Sequence, residues 1–217
     1  MKKLIQKELT LAASPLSYFF LIAAFLTLVP SYPILLSAFF TSLGIFYSFQ
    51  TMRENGDLRY SFLLPVSKAE IVSAKYAFCV ILELCSFFLT GILTLVRMLF
   101  LSTAAVYLQN SLMGANLTYL GYVLILFTLF NLIFVGGFFK TAYRIGKPFI
   151  FFCVLSLVLI GVAETLHHIP GPDRLYVLGF ENLAGQIVFL FAGILLFTGG
   201  TALAVRISQK RFEKIDL

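Results

Sequence analysis

SKAEIVSAKYAFCVILELCSFFLTGILTLVRMLFL, residues 67–101, is the stretch that decides the fold. It opens on a capping box. Ser67 stands at the N-cap and Glu70 three positions on, so each side chain can serve a backbone amide near the other. Val66 and Ile71 stand where a hydrophobic staple puts them. Beyond Lys75 the run is apolar as far as Leu101 and carries two charges, Glu83 and Arg97. A helix needs ~20 apolar residues to cross a bilayer. A helix that starts at Ser67 and stays apolar this long is read as a membrane span.

The rest of the chain supports that reading. Of its 217 residues 60% are hydrophobic and 12% charged, and the mean hydropathy is +0.97. So few charges cannot cover the surface of a soluble domain of this length. Further apolar runs occupy about 15–29, 34–52, 117–139, 148–166 and 182–205. One helix over 15–52 would be roughly 57 Å long, too long for one span. Pro30-Ser31-Tyr32-Pro33 divides it into a hairpin. The predicted fold is all-α: a polytopic helical membrane protein with six transmembrane helices over residues 15–205. Residues 1–14 form an amphipathic interfacial helix, with Leu4, Ile5, Leu9, Leu11 and Ala12 on one half of the wheel and Lys2, Lys3, Gln6, Lys7 and Thr10 on the other. Glu8 is the one residue out of place. Residues 206–217 form a charged tail, and the ambiguous segment 175–186 has room for a short re-entrant helix.

Charge asymmetry sets the expected orientation. Lys2, Lys3 and Lys7, then Arg53, Arg59, Lys68 and Lys75, then Lys140, Arg144 and Lys147, and last Arg206, Lys210, Arg211 and Lys214 all fall on one face of a six-span layout. Only Arg97 and Arg174 remain for the other. The positive-inside rule makes the basic face cytoplasmic and places both termini there. Arg97, near the outer interface, is expected to snorkel. The formal charge of +6 is dispersed between apolar runs with no basic face, which argues against nucleic-acid binding.

Catalytic motifs are scarce. A P-loop needs G-x-x-x-x-G-K-[ST], in which backbone amides cradle the phosphates and the hydroxyl holds magnesium. The nearest match, Gly146-Lys147, is followed by Pro148 and has Thr141 at the first glycine position. No ATP hydrolysis by this chain is expected, and it is not read as an enzyme. Glu164, His167 and His168 give the spacing E-x-x-H-H, which three metal ligands could use, but polar residues at a helix end explain it more simply. Cys79, Cys85 and Cys153 lie in apolar runs without CxxC spacing and read as small buried hydrophobes. Asn116-Leu117-Thr118 is a sequon read as chance. Glu83, at membrane depth, is an expensive group that should face protein or water. It is read first as a partner for a Ser, Thr or Asn of a neighbouring helix, and second as a polar point on a substrate path.

Residues 63–76, LLPVSKAEIVSAKY, resemble a stretch recurring in bacterial ABC transporter permeases of the type-2 exporter family, in the short form without a fused ATPase. There the pattern L-P-[VI]-[ST]-[RK]-x-x-[IV]-V-x-[SA]-K-Y follows the second span and opens the third. The basic N-terminus, the six runs and the missing Walker motif fit the same family in layout. The resemblance implies a bacterial cytoplasmic membrane location and a pair of permease chains, alike or different. Each would sit on a separate ABC ATPase subunit that supplies ATP and Mg; no cofactor is expected on this chain itself. The implied cargo is an amphipathic peptide or similar antimicrobial or toxin. ATPase contacts are expected at Arg53, Glu54, Asp57, Arg59 and Tyr60, with Ser67 and Glu70 capping the helix that follows and the N-terminal helix as a second coupling segment. Other readings are a sodium- or drug-efflux ABC permease, an ion-coupled secondary transporter, an intramembrane enzyme and an immunity or scaffold protein. For an ion-coupled carrier several intramembrane carboxylates are wanted, and Glu83 alone qualifies.

Overall fold

The structure is a computed structural model describing residues 1–108, 112–141, 144–177 and 180–215, without the side chain of Arg59. In chain order the helices are α1 (Lys2–Ala12), α2 (Pro15–Leu28), α3 (Leu36–Glu54), α4 (Asp57–Phe62), α5 (Lys68–Leu101), α6 (Ala105–Leu108), α7 (Leu117–Thr141), α8 (Gly146–Leu166) and α9 (Leu183–Phe212). No strand occurs among the described residues. Local chemistry explains the starts. Ser14 caps α2 and is followed by Pro15 at the first helical position. Asn116 caps α7 by accepting from Tyr119 N at 3.0 Å. Both halves of the Ser67–Glu70 capping box are formed. Gly56 adopts φ 65° between α3 and α4, a conformation natural to glycine.

Helices occupy all six expected runs, yet they are not equal. By length and composition α5, α7, α8 and α9 are able to cross a membrane; α1 with α2 makes a fifth if that pair, bent by 93°, is one span. α2 is short, and Phe20–Leu28 winds as a 3₁₀ helix, which gains ~2.0 Å per residue against ~1.5 Å for an α-helix and so stretches the segment. α3 is rich in hydroxyls, with Ser37, Thr41, Ser42 and Ser48 all buried. They are spent on neighbours: Ser48 Oγ accepts from Ser14 N at 2.8 Å, and Thr41 pairs with Ser86 at 2.8 Å. Close packing of α2 on α3 is permitted by Gly44, where a Cβ would lie 2.9 Å from that of Phe20.

α7 is the central helix. In its most apolar window 72% of residues are buried, against 17% for α9 and 22% for α8. Lipid supplies little hydrophobic drive for helices to associate, so close backbone approach matters. A Cβ on Gly193 of α9 would sit 2.9 Å from Gly121 O of α7, and one on Gly200 would meet Thr128 Cγ2 at 2.5 Å. Phe127, Phe130, Phe134, Phe138 and Phe139 of α7 are fully buried. Phe130–Phe134 and Phe49–Phe138 have ring centroids 4.9 Å apart.

Two expectations need correction. Arg97 does not snorkel; it is 1% exposed. Its Nη1 donates to Thr27 O at 2.8 Å and its guanidinium lies 4.5 Å from the Tyr107 ring centroid. Tyr107 in turn donates to Leu28 O at 2.7 Å. The last carbonyls of α2 lack helical partners, and in apolar surroundings a cation and a phenol cap them better than they could serve solvent. The charged tail begins as helix: α9 continues to Phe212, whose ring sits against Phe62 and Phe139, while Gln209 donates to Ser73 at 2.9 Å. No re-entrant helix forms between 175 and 186 among the described residues. Pro172–Leu175 is one 3₁₀ turn, and α9 begins at Leu183.

Candidate functional site

α5 carries two buried polar centres, and each gathers residues from distant parts of the chain. The first lies near its start. Lys75 is 0% exposed and Glu8 is 1% exposed. Lys75 Nζ donates to Glu8 Oε2 at 2.9 Å, to Asp57 Oδ2 at 2.7 Å and to Met52 Sδ at 3.3 Å. Lys7 closes the ring from above: its Nζ pairs with Glu8 at 3.2 Å and with Asp57, and donates to Ser61 at 2.8 Å. Two ammonium groups thus meet two carboxylates, and the centre ties α1 and α4 to α5. Burial raises the pKa of the Asp57 carboxyl, but Lys75 and Lys7 outweigh it and hold that pKa below its ordinary value.

This arrangement accounts for Glu8. On the amphipathic wheel it interrupts the apolar half of α1; in the structure Leu4, Glu8 and Ala12 of that half face the bundle while Leu11 is exposed, and Lys75 is the partner of Glu8. The wheel marks Glu8 as anomalous, while Lys75, read from the sequence as one more basic residue on the cytoplasmic side, gives no such signal. Within the recurring pattern of residues 63–76, Lys75 holds the ion cluster and Tyr76 pairs with Ser208 at 2.9 Å and donates to Asn131 O at 3.2 Å.

The expected partner-binding residues separate into two groups. Arg53, Glu54 and Tyr60 are exposed, with Glu54 accepting from Gln50 at 3.0 Å and Tyr60 lying 6.0 Å from Lys7 Nζ. Leu63, 83% exposed, extends the same surface. Asp57 is turned inward and engaged by both lysines. The Arg59 side chain lies outside the described residues. Ser67 and Glu70 cap α5 beside this surface: Glu70 N donates to Ser67 Oγ at 3.2 Å and Ser67 N to Glu70 Oε2 at 2.9 Å.

The second centre lies about two turns further along α5. Glu83 is 0% exposed and accepts from Asn131 Nδ2 at 2.8 Å; the same nitrogen donates to Thr201 Oγ1 at 3.2 Å. α5, α7 and α9 therefore meet on one amide. Asn131 belongs to a π-helical turn, Phe130–Val135, and such turns often mark functional positions. Glu83 Oε1 and Asn131 Oδ1 have no partner among the described residues.

The E-x-x-H-H spacing comes to nothing of that kind. Glu164 Oε2 accepts from Met113 N at 2.8 Å, and the His167 ring packs 5.7 Å from that of Tyr176. Burial, helped by His168, holds the His167 pKa below its ordinary value. Among the described residues no three His, Cys, Asp or Glu are placed to hold a metal ion. Cys79 is buried, Cys153 partly so and Cys85 exposed, all unpaired thiols.

No curated protein and no solved structure matches this chain. A family model described as "ABC-2 family transporter protein" matches residues 3–213, nearly the whole chain, including all but the first residue of α1, both polar centres and all of α9. The chain thus belongs to the ABC-2 family of transporter proteins, as a multi-pass membrane permease.

Proposed function

We propose that this chain is the membrane subunit of an ATP-driven exporter, and that the Lys75–Glu8–Asp57–Lys7 cluster carries force from a separate ATPase into α5. The cluster is the single observation behind this reading. It joins α1 and α4 to the longest helix by short charged contacts, without a flexible linker. A partner that moves the exposed surface of Arg53, Glu54, Tyr60 and Leu63 would displace α4, and Asp57 would draw Lys75 with it. Removing one member would leave an opposite charge buried, so the contact resists pulling apart.

The basic clusters and the family support a reading of the wider assembly. Both termini are cytoplasmic under the positive-inside rule, and six spans result if the stretched α2 and the hydroxyl-lined α3 cross as a hairpin. Two such chains pair, each on an ATPase subunit that binds ATP and Mg. The cargo is an amphipathic peptide.

The experiment is co-purification with an ATPase subunit. Arg53→Glu, Glu54→Lys and Tyr60→Ala together should leave the protein inserted, because these side chains are exposed, while the ATPase dissociates or turns over without transport. Normal transport by this variant with the ATPase still bound would remove the surface from the coupling path.

A further inference from the structure

α5 and α9 do not close on each other along their whole length. Between them lies a cleft of about 400 Å³, lined by Val80, Leu84 and Phe87 of α5 and by Phe197, Thr201 and Val205 of α9. Its rim is exposed at Ile194 and Thr198. The wall is almost wholly apolar. Thr201 is the polar point that leads inward, because its hydroxyl oxygen accepts from Asn131.

Behind that wall the second polar centre is short of donors. Asn131 Nδ2 serves both Glu83 Oε2 and Thr201 Oγ1, whereas Glu83 Oε1 and Asn131 Oδ1 are buried and have no partner among the described residues. Among the described residues no ammonium or guanidinium pairs with Glu83. Buried acceptors without donors are costly, and a buried acidic group in a span commonly faces a ligand path. What is missing is a group rich in N–H donors and positive in charge. What the cleft supplies is room for an aliphatic chain.

We propose that this cleft binds a cationic single-chain amphiphile. The aliphatic chain lies between α5 and α9, and a primary ammonium reaches Thr201 and, through it, the acceptors of Asn131 and Glu83. A neutral chain would fill the cleft and leave the acceptors unserved. An anionic head would bring no donors and would face Glu83. This site goes beyond the exporter reading and does not depend on it.

The test uses the purified chain in phosphatidylcholine nanodiscs without ATP or ATPase. A photoactivatable hexadecylamine is the probe, and hexadecylamine and hexadecanol are competitors. The amine should label residues 80–87 and 194–205 and be displaced by hexadecylamine at least tenfold better than by hexadecanol. Glu83→Gln should weaken amine labelling about tenfold with an unchanged elution profile. Ala202 also lines the cleft, and Ala202→Phe, which fills it, should abolish labelling. Labelling spread over the outer surface of α8 and α9 would overturn the proposal. So would equal competition by hexadecanol, or amine labelling unaltered in Glu83→Gln; those outcomes leave an adventitious lipid groove. Failure here leaves the permease assignment untouched, since no arm depends on transport.

Discussion

Lys75 and Glu83 are both fully buried on α5, roughly 12 Å apart along its axis, yet their surroundings differ in kind. Lys75 sits in a neutralised group of two cations and two anions drawn from three helices. Glu83 has an amide for a partner and no cation among the described residues. The contrast teaches what a buried ionisable group is for in this fold. A closed ion cluster has no capacity left for a ligand and serves to hold helices together. The polar centre at Glu83 has acceptors to spare among the described residues and a cleft beside it.

The largest effect expected is that of Lys75→Leu. It strands Glu8 and Asp57 with only Lys7 between them, and breaking such a buried pair costs ~3–5 kcal/mol. Thermal unfolding followed by size-exclusion chromatography should show a large drop in midpoint. Replacing all four, with Lys7→Met, Glu8→Leu, Asp57→Leu and Lys75→Met, should recover most of that loss, because a packed apolar group can substitute for an ion cluster. Transport should stay absent in this quadruple variant. Normal transport would reduce the cluster to a packing element.

Acid should act on one centre and spare the other. Because the folded pKa of Asp57 is depressed, its contribution is fully present above the unfolded carboxylate value of ~3.9. It is lost as pH falls through the lower folded value. Unfolding midpoints measured from pH 6 down to 3 should fall in the native chain, with a shallower fall in Asp57→Asn. Equal slopes would place the acid sensitivity elsewhere.

Ser67→Ala removes one arm of the capping box and should cost ~1 kcal/mol, visible as a modest midpoint shift with partial transport. Glu83→Gln should have the smallest effect on stability, within ~0.5 kcal/mol. The new amide keeps an acceptor for Asn131 Nδ2 and can offer a donor to Asn131 Oδ1. A destabilisation as large as that of Lys75→Leu would erase the distinction between the two centres.

Particular residues show how much was legible beforehand. The start of α5 was, because Ser67 and Glu70 are three positions apart and the capping box is local. The oddity of Glu8 was legible too, but its partner lies 67 positions away. Glu83 stood out as an intramembrane acid, while Asn131, 48 positions on, looked like any polar residue in an apolar run. Arg97 was misplaced because a long side chain near a span end ordinarily reaches water. Only the fold shows that the open end of α2 lies within its reach.

The sequence by itself determined the solvent, the helical class, the places of the long apolar runs and the capped start of α5. Those follow from requirements that each segment meets alone, namely bilayer thickness and the need to satisfy every backbone amide within the helix. The tertiary structure decided which charges are buried together, where α9 ends and that a cleft remains between α5 and α9. Each depends on how far one helix is rotated and tilted against the next. That is set by close contacts such as Gly193 on Gly121 and by the phenylalanines of α7, which no single segment specifies.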